Sequence, residues 1–238
     1  MKISAVMPAY NEAETIEKTV RYCFRVLAEY AEDVEVVVTN DGSRDDTGRI
    51  LERLTAEFPG LVVGHNSPNR GYGDAMTRAI EVSTGDIIVT IDSDGQFDIA
   101  DIREMLPMLQ DPCRIVTGYR RAKKDSFIKV VADRVMNRII RIMFKVSFKD
   151  TNCALKIMNG PMIRSMILEA RGFQLPTEIV LKADALGFTV TESPVNHYPR
   201  EGGASSLAPF RTGWQMLTFL LYLRRKIRLY LKGVLRSL

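Results

Sequence analysis

The residues able to do chemistry stand in a few short acidic strings. Residues 91–96 read Ile-Asp-Ser-Asp-Gly-Gln and close the apolar run DIIVTI. Two carboxylates one residue apart at the end of a buried strand are costly to place together unless a cation neutralises them. Oxygen ligands of that kind suit Mg²⁺ or Mn²⁺, which share one or two protein carboxylates with substrate phosphates. Asp92 and Asp94 are therefore candidate metal ligands, and Gln96 offers a neutral oxygen beside them. The same string also reads as a turn and N-cap ahead of a helix at Asp98. A second string, TNDGSRDDT at 39–47, places Asp41 where a carboxylate could accept hydrogen bonds from a ribose or a base. Gly42 and Ser43 then form a turn, and Asp45 or Asp46 caps the next helix. A third string, PAYNE at 8–12, carries no glycine-rich fingerprint, and neither GxGxxG nor GxxxxGK[ST] occurs in the chain. That argues against a dinucleotide oxidoreductase and a P-loop enzyme.

The segments around these strings alternate in period. Ile3–Met7, Glu35–Thr39, Leu61–His65 and Asp86–Ile91 read as strands. Glu12–Glu29, Asp46–Phe58 and Gly73–Ser83 read as the helices between them. Runs such as VEVVVT and DIIVTI are apolar on both faces, which predicts a mostly parallel sheet covered by helices on both sides. In such sheets ligands bind beyond the carboxyl ends of the strands, where the three acidic strings fall. Further on, strands are predicted at Arg114–Thr117, Ala154–Met158 and Thr189–Val195. Helices are predicted over Asp125–Lys145 and Thr177–Leu186, and a last one to about Leu231 follows a Pro/Gly/Ser-rich loop that runs to Pro209. Residues 1–210 form one predicted domain and 211–238 a C-terminal helical appendage.

The 238 residues carry a net charge of +4, with 46% hydrophobic and 26% charged residues, ordinary values for a globular fold. The charge is segregated, with +9 over 114–149, +7 over 211–238 and −12 over the remainder. Two basic segments on an acidic body predict contact with something anionic. Base-stacking aromatics are not interleaved with the basic residues, which argues against nucleic acid. The longest nearly uncharged apolar run, Trp214–Leu223, is half the length of a bilayer span. Three scattered cysteines (Cys23, Cys113, Cys153) and a start that lacks a secretory pattern predict reduced thiols and a cytosolic address.

Taken in order, PAYNE, NDGSRDDT, NRGYGDAM and DSDGQFD, followed by GYRR, DRVMN, DTNCALK and HYPREGGASS, resemble the family 2 nucleotide-sugar glycosyltransferases. Within that family the pattern is similar to dolichyl-phosphate mannose synthases and their bacterial polyprenyl-phosphate relatives. The resemblance implies a GT-A type, Rossmann-like α/β fold. Pro8, Tyr10, Glu12, Thr39 and Asp41 would then hold the donor nucleotide. Asp92, Asp94 and Gln96 would hold the metal, with Ser93 lining the donor site. Arg120, Arg121 and Arg134 would face the acceptor phosphate, and Arg200 the donor diphosphate. Two departures bear on the sugar. Ser206 stands where the synthases usually carry Lys, and DTNCALK replaces their DxTSGFR.

The implied reaction moves a hexose, mannose or glucose, from a nucleotide-diphosphate sugar such as GDP-mannose to a polyprenyl phosphate, with inversion. A phosphate acceptor is already anionic and needs no base. Asp150 would be the base for a hydroxyl acceptor, and otherwise caps its turn. The tail, WQMLTFLLYLRRKIRLYL at 214–231, sets Leu217, Leu220, Leu221, Ile227 and Leu231 on one helical face beside Arg224, Arg225, Lys226 and Arg228. That composition suits an anionic membrane surface, and equally packing on the domain, a second copy of the chain or a membrane protein. Two alternatives stay open, a family 2 enzyme with a sugar or protein hydroxyl acceptor and an inactive nucleotide-binding adaptor. The expected address is the cytoplasmic face of a membrane, held peripherally.

Overall fold

A computed structural model describes residues 1–111, 114–121, 127–200 and 209–238. Cys113, the first two residues of the helix expected over Asp125–Lys145, and residues 201–208, Ser206 included, lie outside the described residues. Seven strands form one sheet: β1 (Lys2–Ala9), β2 (Asp33–Asn40), β3 (Leu61–His65), β4 (Ile87–Thr90), β5 (Arg114–Arg120), β6 (Lys156–Asn159) and β7 (Thr189–Val195). Their spatial order is β3-β2-β1-β4-β6-β5-β7. Only β6 runs against its neighbours, pairing antiparallel with both β4 and β5.

Period-2 alternation divides each central strand between two cores. Ile3, Ala5 and Met7 of β1 and Val36 and Val38 of β2 face one side, where α1 (Ile16–Leu27) and α2 (Thr47–Glu57) pack through Val20, Cys23, Leu51 and Leu54. Val6, Val37 and Ile88 face the other side, under α3 (Tyr72–Val82), α6 (Gly160–Ser165) and α7 (Leu175–Ala185). Between these last elements, α4 (Ile102–Met105) and α5 (Phe127–Phe144) flank the fifth strand in sequence. Each fully buried Val, Leu or Ile contributes about 1.5–3 kcal/mol, so the central strands anchor the molecule.

The register brings Ala9 beside Asn40 and Asn40 beside His65, so these three strands end along one edge. Helix α1 starts at Ile16 rather than near Glu12. The Glu12 N–H is taken by Thr47 Oγ1 at 2.8 Å, and Asn11 has a positive φ of 55°. The PAYNE string is thereby kept out of the helix as a loop over the strand ends. The two short helices α4 and α6 escaped the sequence reading, because Pro107 and Gly160-Pro161 cut their apolar periodicity to a turn or two.

The C-terminal helix, α8 (Pro209–Leu231), packs on α5 and α7. Met216, Leu220, Leu223 and Ile227 form a third core with Ile140 and Leu181. The single apolar face expected for this helix is split. Leu220 and Ile227 are buried, while Leu221 and Leu231 stay exposed beside Trp214 and Tyr222. Among the described residues no helix is long and apolar enough to cross a membrane.

A buried carboxylate fastens the strand starts together. Glu35 accepts from Ser4 Oγ at 2.6 Å and from Thr84 N and Oγ1 at 2.8 and 2.7 Å. Burial pushes this carboxyl up, but the hydrogen bonds from Ser4, Thr84 and Lys2 outweigh it and leave it below 4.5. A depressed carboxyl stabilises the fold above its unfolded value, and that contribution is lost as pH falls through the folded value. Glu35→Gln should therefore cost about 1–3 kcal/mol at pH 7 in denaturant unfolding, and the deficit should shrink below pH 4.5. An equal loss at pH 3 and pH 7 would contradict the ionic role.

Candidate active site

A cavity of about 640 Å³ opens at the carboxyl edge of β1, β2 and β4. Its walls include Pro8, Tyr10 and Glu12 after β1, Asp41 after β2, and Asp92, Ser93 and Asp94 after β4. Asn69, Gly71, Tyr72, Phe173 and Arg200 complete it. The described fold thus gathers residues from six stretches of chain around one hollow.

The acidic pair forms its charged centre. Asp92 Oδ1 accepts from the Tyr72 hydroxyl at 2.9 Å, and Asp94 Oδ1 accepts from Gln96 N at 3.0 Å. Burial in the cleft, followed by the adjacent Asp94 charge, pushes the Asp92 carboxyl up to about 7. The Tyr72 hydroxyl and the fields of Arg120 and Arg200 oppose that rise. Glu12, buried beside them, is likewise raised, mainly by burial. Arg200 bridges the acids, with Nη1 at 3.4 Å from Asp94 Oδ2 and Nη2 bonded to Glu12 Oε1.

Other residues hold the frame. Ser93 Oγ donates to Pro8 O at 2.8 Å, and Ser93 O accepts from the hydroxyls of Thr15, just before α1, and Thr19 within it. Asp41 accepts from Asn66 Nδ2 and from the N–H groups of Arg70 and Gly71 at 2.8–2.9 Å. It thereby draws the 66–71 turn over the cavity. Asp45, not Asp46, caps α2, accepting from Thr47 N at 3.0 Å. Tyr10 stands at the rim, 37% exposed.

Thr39, expected at the donor, and Gln96, expected on the metal, are not in the cavity wall. Thr39 is buried within β2, and its Oγ1 has no hydrogen-bond partner among the described residues. Gln96 directs its Nε2 toward Tyr198 O at 3.4 Å.

A second cavity, about 520 Å³, is lined by Arg120, Arg121, Val130, Arg134, Asn137, Arg141 and Lys149. Positions 130, 134, 137 and 141 recur at one-face spacing along α5, which turns this stripe toward the end of β5. Arg120 is held by Asp150, with Nε at 2.7 Å and Nη2 at 2.9 Å from its two oxygens, and by Asp133 at 3.1 Å. Asp150 is buried in this fork, which fixes Arg120 within reach of the Asp92 field. The sequence reading missed Arg141, Asn137, Lys149, Tyr72 and Phe173. The seven-residue step from Arg134 to Arg141 was visible in the sequence, whereas Phe173 reaches the site only through tertiary folding.

The donor set fits a hard divalent cation. Asp92 and Asp94 carry oxygen ligands and mutual repulsion that a dication would relieve. Among the described residues no three His, Cys, Asp or Glu side chains are gathered to hold a metal. The pair would therefore share the ion with substrate phosphate and water. Cys23 and Cys153 are buried far from any such role, and burial pushes both thiols up to about 12.

A mostly parallel sheet with an acidic pair at the fourth strand end is the GT-A type architecture of nucleotide-sugar transferases. The chain belongs to glycosyl transferase family 2, whose profile matches residues 4–170. It is 31% identical over 209 residues to the glycosyltransferase AglD of Haloferax volcanii, covering 84% of this chain and 34% of that protein. It is 28% identical to the undecaprenyl-phosphate 4-deoxy-4-formamido-L-arabinose transferase of Enterobacter sp. strain 638, covering 88% of this chain and 64% of that one. The chain thus spans about a third of the first relative and under two thirds of the second. Its fold is shared with glucosyl-3-phosphoglycerate synthase of Mycobacterium tuberculosis at a TM-score of 0.70 and 20% identity, over 93% of this chain and 79% of that one. Mannosyl-3-phosphoglycerate synthase of Rubrobacter xylanophilus superposes at 0.68 with 22% identity, over all of this chain and 77% of that one.

Because Asp94 is the second cause of the Asp92 shift, Asp94→Asn should let Asp92 titrate clearly below 7, followed by carboxyl ¹³C resonances without metal. An unmoved midpoint would mean that burial alone sets it.

Proposed function

We propose that this chain is a metal-dependent, inverting glycosyltransferase that moves a sugar from a nucleotide-diphosphate sugar to a polyprenyl phosphate at a membrane surface. One observation carries the reading. Arg120, which lines the basic cavity, lies close enough to the acidic one for its charge to act on Asp92, and the basic cavity is walled by α5, which carries an exposed apolar stripe. Val131, Val135 and Ile142 are 39%, 52% and 69% exposed, and recur at the spacing of one helical face beside Arg134 and Arg141. A headgroup cavity edged by apolar surface suits a phosphate carrying a hydrocarbon tail. The relatives support it, since one is named for transfer to undecaprenyl phosphate. Neighbours of the same fold were crystallised with Mn²⁺ and UDP-glucose, or with Mg²⁺ and UDP.

In this reading Asp92 and Asp94 hold Mg²⁺ or Mn²⁺, which supplies charge neutralisation to the diphosphate leaving group. Arg200 supplies a second, fixed positive charge at the same end of the cavity. Pro8, Tyr10, Glu12 and Asp41 seat the nucleoside. Arg121, Arg134, Arg141 and Lys149 draw in the acceptor phosphate, and the Asp150-clamped Arg120 aims it across the boundary between the cavities. The acceptor oxygen is an anion near pH 7, so no side chain need remove a proton. Attack from the basic side, opposite the leaving group, inverts the anomeric carbon. A hydroxyl acceptor would require a base, and Asp150 is engaged by Arg120 on both oxygens. Mannose or glucose on a guanosine or uridine carrier remains the donor class.

Residues 1–210 are the catalytic domain in this account and 211–238 the membrane-surface helix. Trp214, Leu221 and Tyr222 of α8 are exposed with Arg225 and Arg228 nearby, the composition of an interfacial helix. Each such cation contributes about 1 kcal/mol at an anionic surface. The enzyme would sit peripherally on the cytoplasmic face.

Radiolabelled sugar should pass from a nucleotide sugar into polyprenyl phosphate and not into water-soluble hydroxyl acceptors. Asp94→Ala should slow this by at least about a hundredfold, and Arg134→Ala should raise the acceptor KM by about tenfold with a smaller effect on kcat. Label entering only soluble hydroxyl acceptors, or full activity in a chelator, would sink the proposal.

A further inference from the structure

Behind the wall of the acidic cavity lies a group of buried charges that transfer itself does not use. Lys182 and Glu178, both on α7 and both fully buried, face each other at 2.7 Å. Glu178 also accepts from the N–H groups of Glu169 and Ala170 at 3.0 and 2.8 Å. Lys182 reaches Ile167 O at 2.5 Å and Glu169 Oε2 at 2.8 Å. The Glu169 carboxylate then takes two donors from α8, Tyr222 Oη at 2.8 Å and Lys226 Nζ at 2.6 Å. Burial raises this carboxyl, but the bonds from Lys182, Lys226 and Tyr222 prevail and hold it at about 2. Glu169 is thus an ionised junction between α7, α8 and the segment that follows it.

That segment contributes Phe173 to the cavity wall. Arg171 O accepts from Gly73 N at 2.9 Å. A Cβ on Gly73 would stand 2.0 Å from Ala170 O, so the two backbones are in direct contact and must move together. Phe173 stacks on Tyr72 with centroids 5.1 Å apart and planes 24° from parallel. Tyr72 in turn donates to Asp92, and Gly71 N donates to Asp41. An unbroken series of contacts therefore runs from two side chains of α8 to both acidic strings of the donor pocket.

We propose that Glu169 is a positioning residue that couples the seating of α8 to the shape of the nucleotide pocket, pressing Phe173 and Tyr72 against the bound donor. The inference rests on the donor reading above and adds a link between membrane contact and donor affinity. Coupling of this kind is reciprocal, so a surface that seats α8 and tightens nucleotide binding must be bound more tightly when nucleotide is present.

The test is calorimetric titration of UDP and GDP with Mn²⁺ into the full chain, with and without phosphatidylglycerol vesicles. Wild-type protein should bind one of these nucleotides more tightly on vesicles. Glu169→Gln should weaken nucleotide binding by about fivefold or more and abolish the vesicle effect. Tyr222→Phe, which removes one hydroxyl from a half-exposed position, should do the same in part and serves if Glu169→Gln does not fold. Wild-type affinity and a retained vesicle effect in a folded variant would overturn the coupling alone. A wild-type chain that binds neither nucleotide would overturn the donor reading and the coupling with it.

Discussion

Three carboxylates, Glu12, Asp92 and Asp94, crowd the carboxyl edge of the sheet, and their mutual repulsion in a partly dehydrated cleft is the constraint that organises the site. The raised Asp92 and Glu12 carboxyls record that strain. The protein relieves it with cations brought from far away in sequence. Arg200, more than a hundred residues beyond Asp94, bridges two of the acids, and the field of Arg120 reaches the third. A divalent ion arriving with a diphosphate would complete the same neutralisation. The fold supports the crowding by fastening the strand ends, through Ser93 to Pro8, Asp41 to the 66–71 turn and Glu12 N–H to Thr47.

The basic cavity follows the opposite logic. Here the basic residues are gathered by the one-face repeat of α5 and by the end of β5. Arg120 is locked in place by a carboxylate fork that holds its geometry at the expense of some of its charge. Arg121, Arg134, Arg141 and Lys149 are longer-reaching and more exposed, suited to collecting an anion rather than orienting it. In the proposed reaction these two hollows of opposite charge would receive the two anionic reactants.

Much of this was legible in the chain because strand-end loops carry their chemistry in consecutive residues. The four acidic or glycine-bearing strings announced the parallel half of the sheet and the edge where the acidic cavity opens. What was hidden depends on long-range packing. The antiparallel insertion of β6 leaves no mark in a four-residue apolar strand. Phe173 gains its role only by stacking on Tyr72, a hundred residues earlier. Thr39 and Gln96 lie within matching strings, yet β-strand alternation buries the first and the turn at Gly95 directs the second toward Tyr198. The C-terminal helix divides its apolar residues between a packed and an exposed arc, which a single averaged face conceals.

In the proposed function Asp92 and Asp94 jointly hold a divalent ion against a nucleotide diphosphate. Electron paramagnetic resonance of Mn²⁺ titrated into the protein measures this directly. The account predicts that a nucleoside diphosphate sharply tightens Mn²⁺ binding, and that Asp92→Asn or Asp94→Asn removes the effect while the sheet stays folded. Mn²⁺ binding indifferent to nucleotide, or unchanged in both variants, would contradict it.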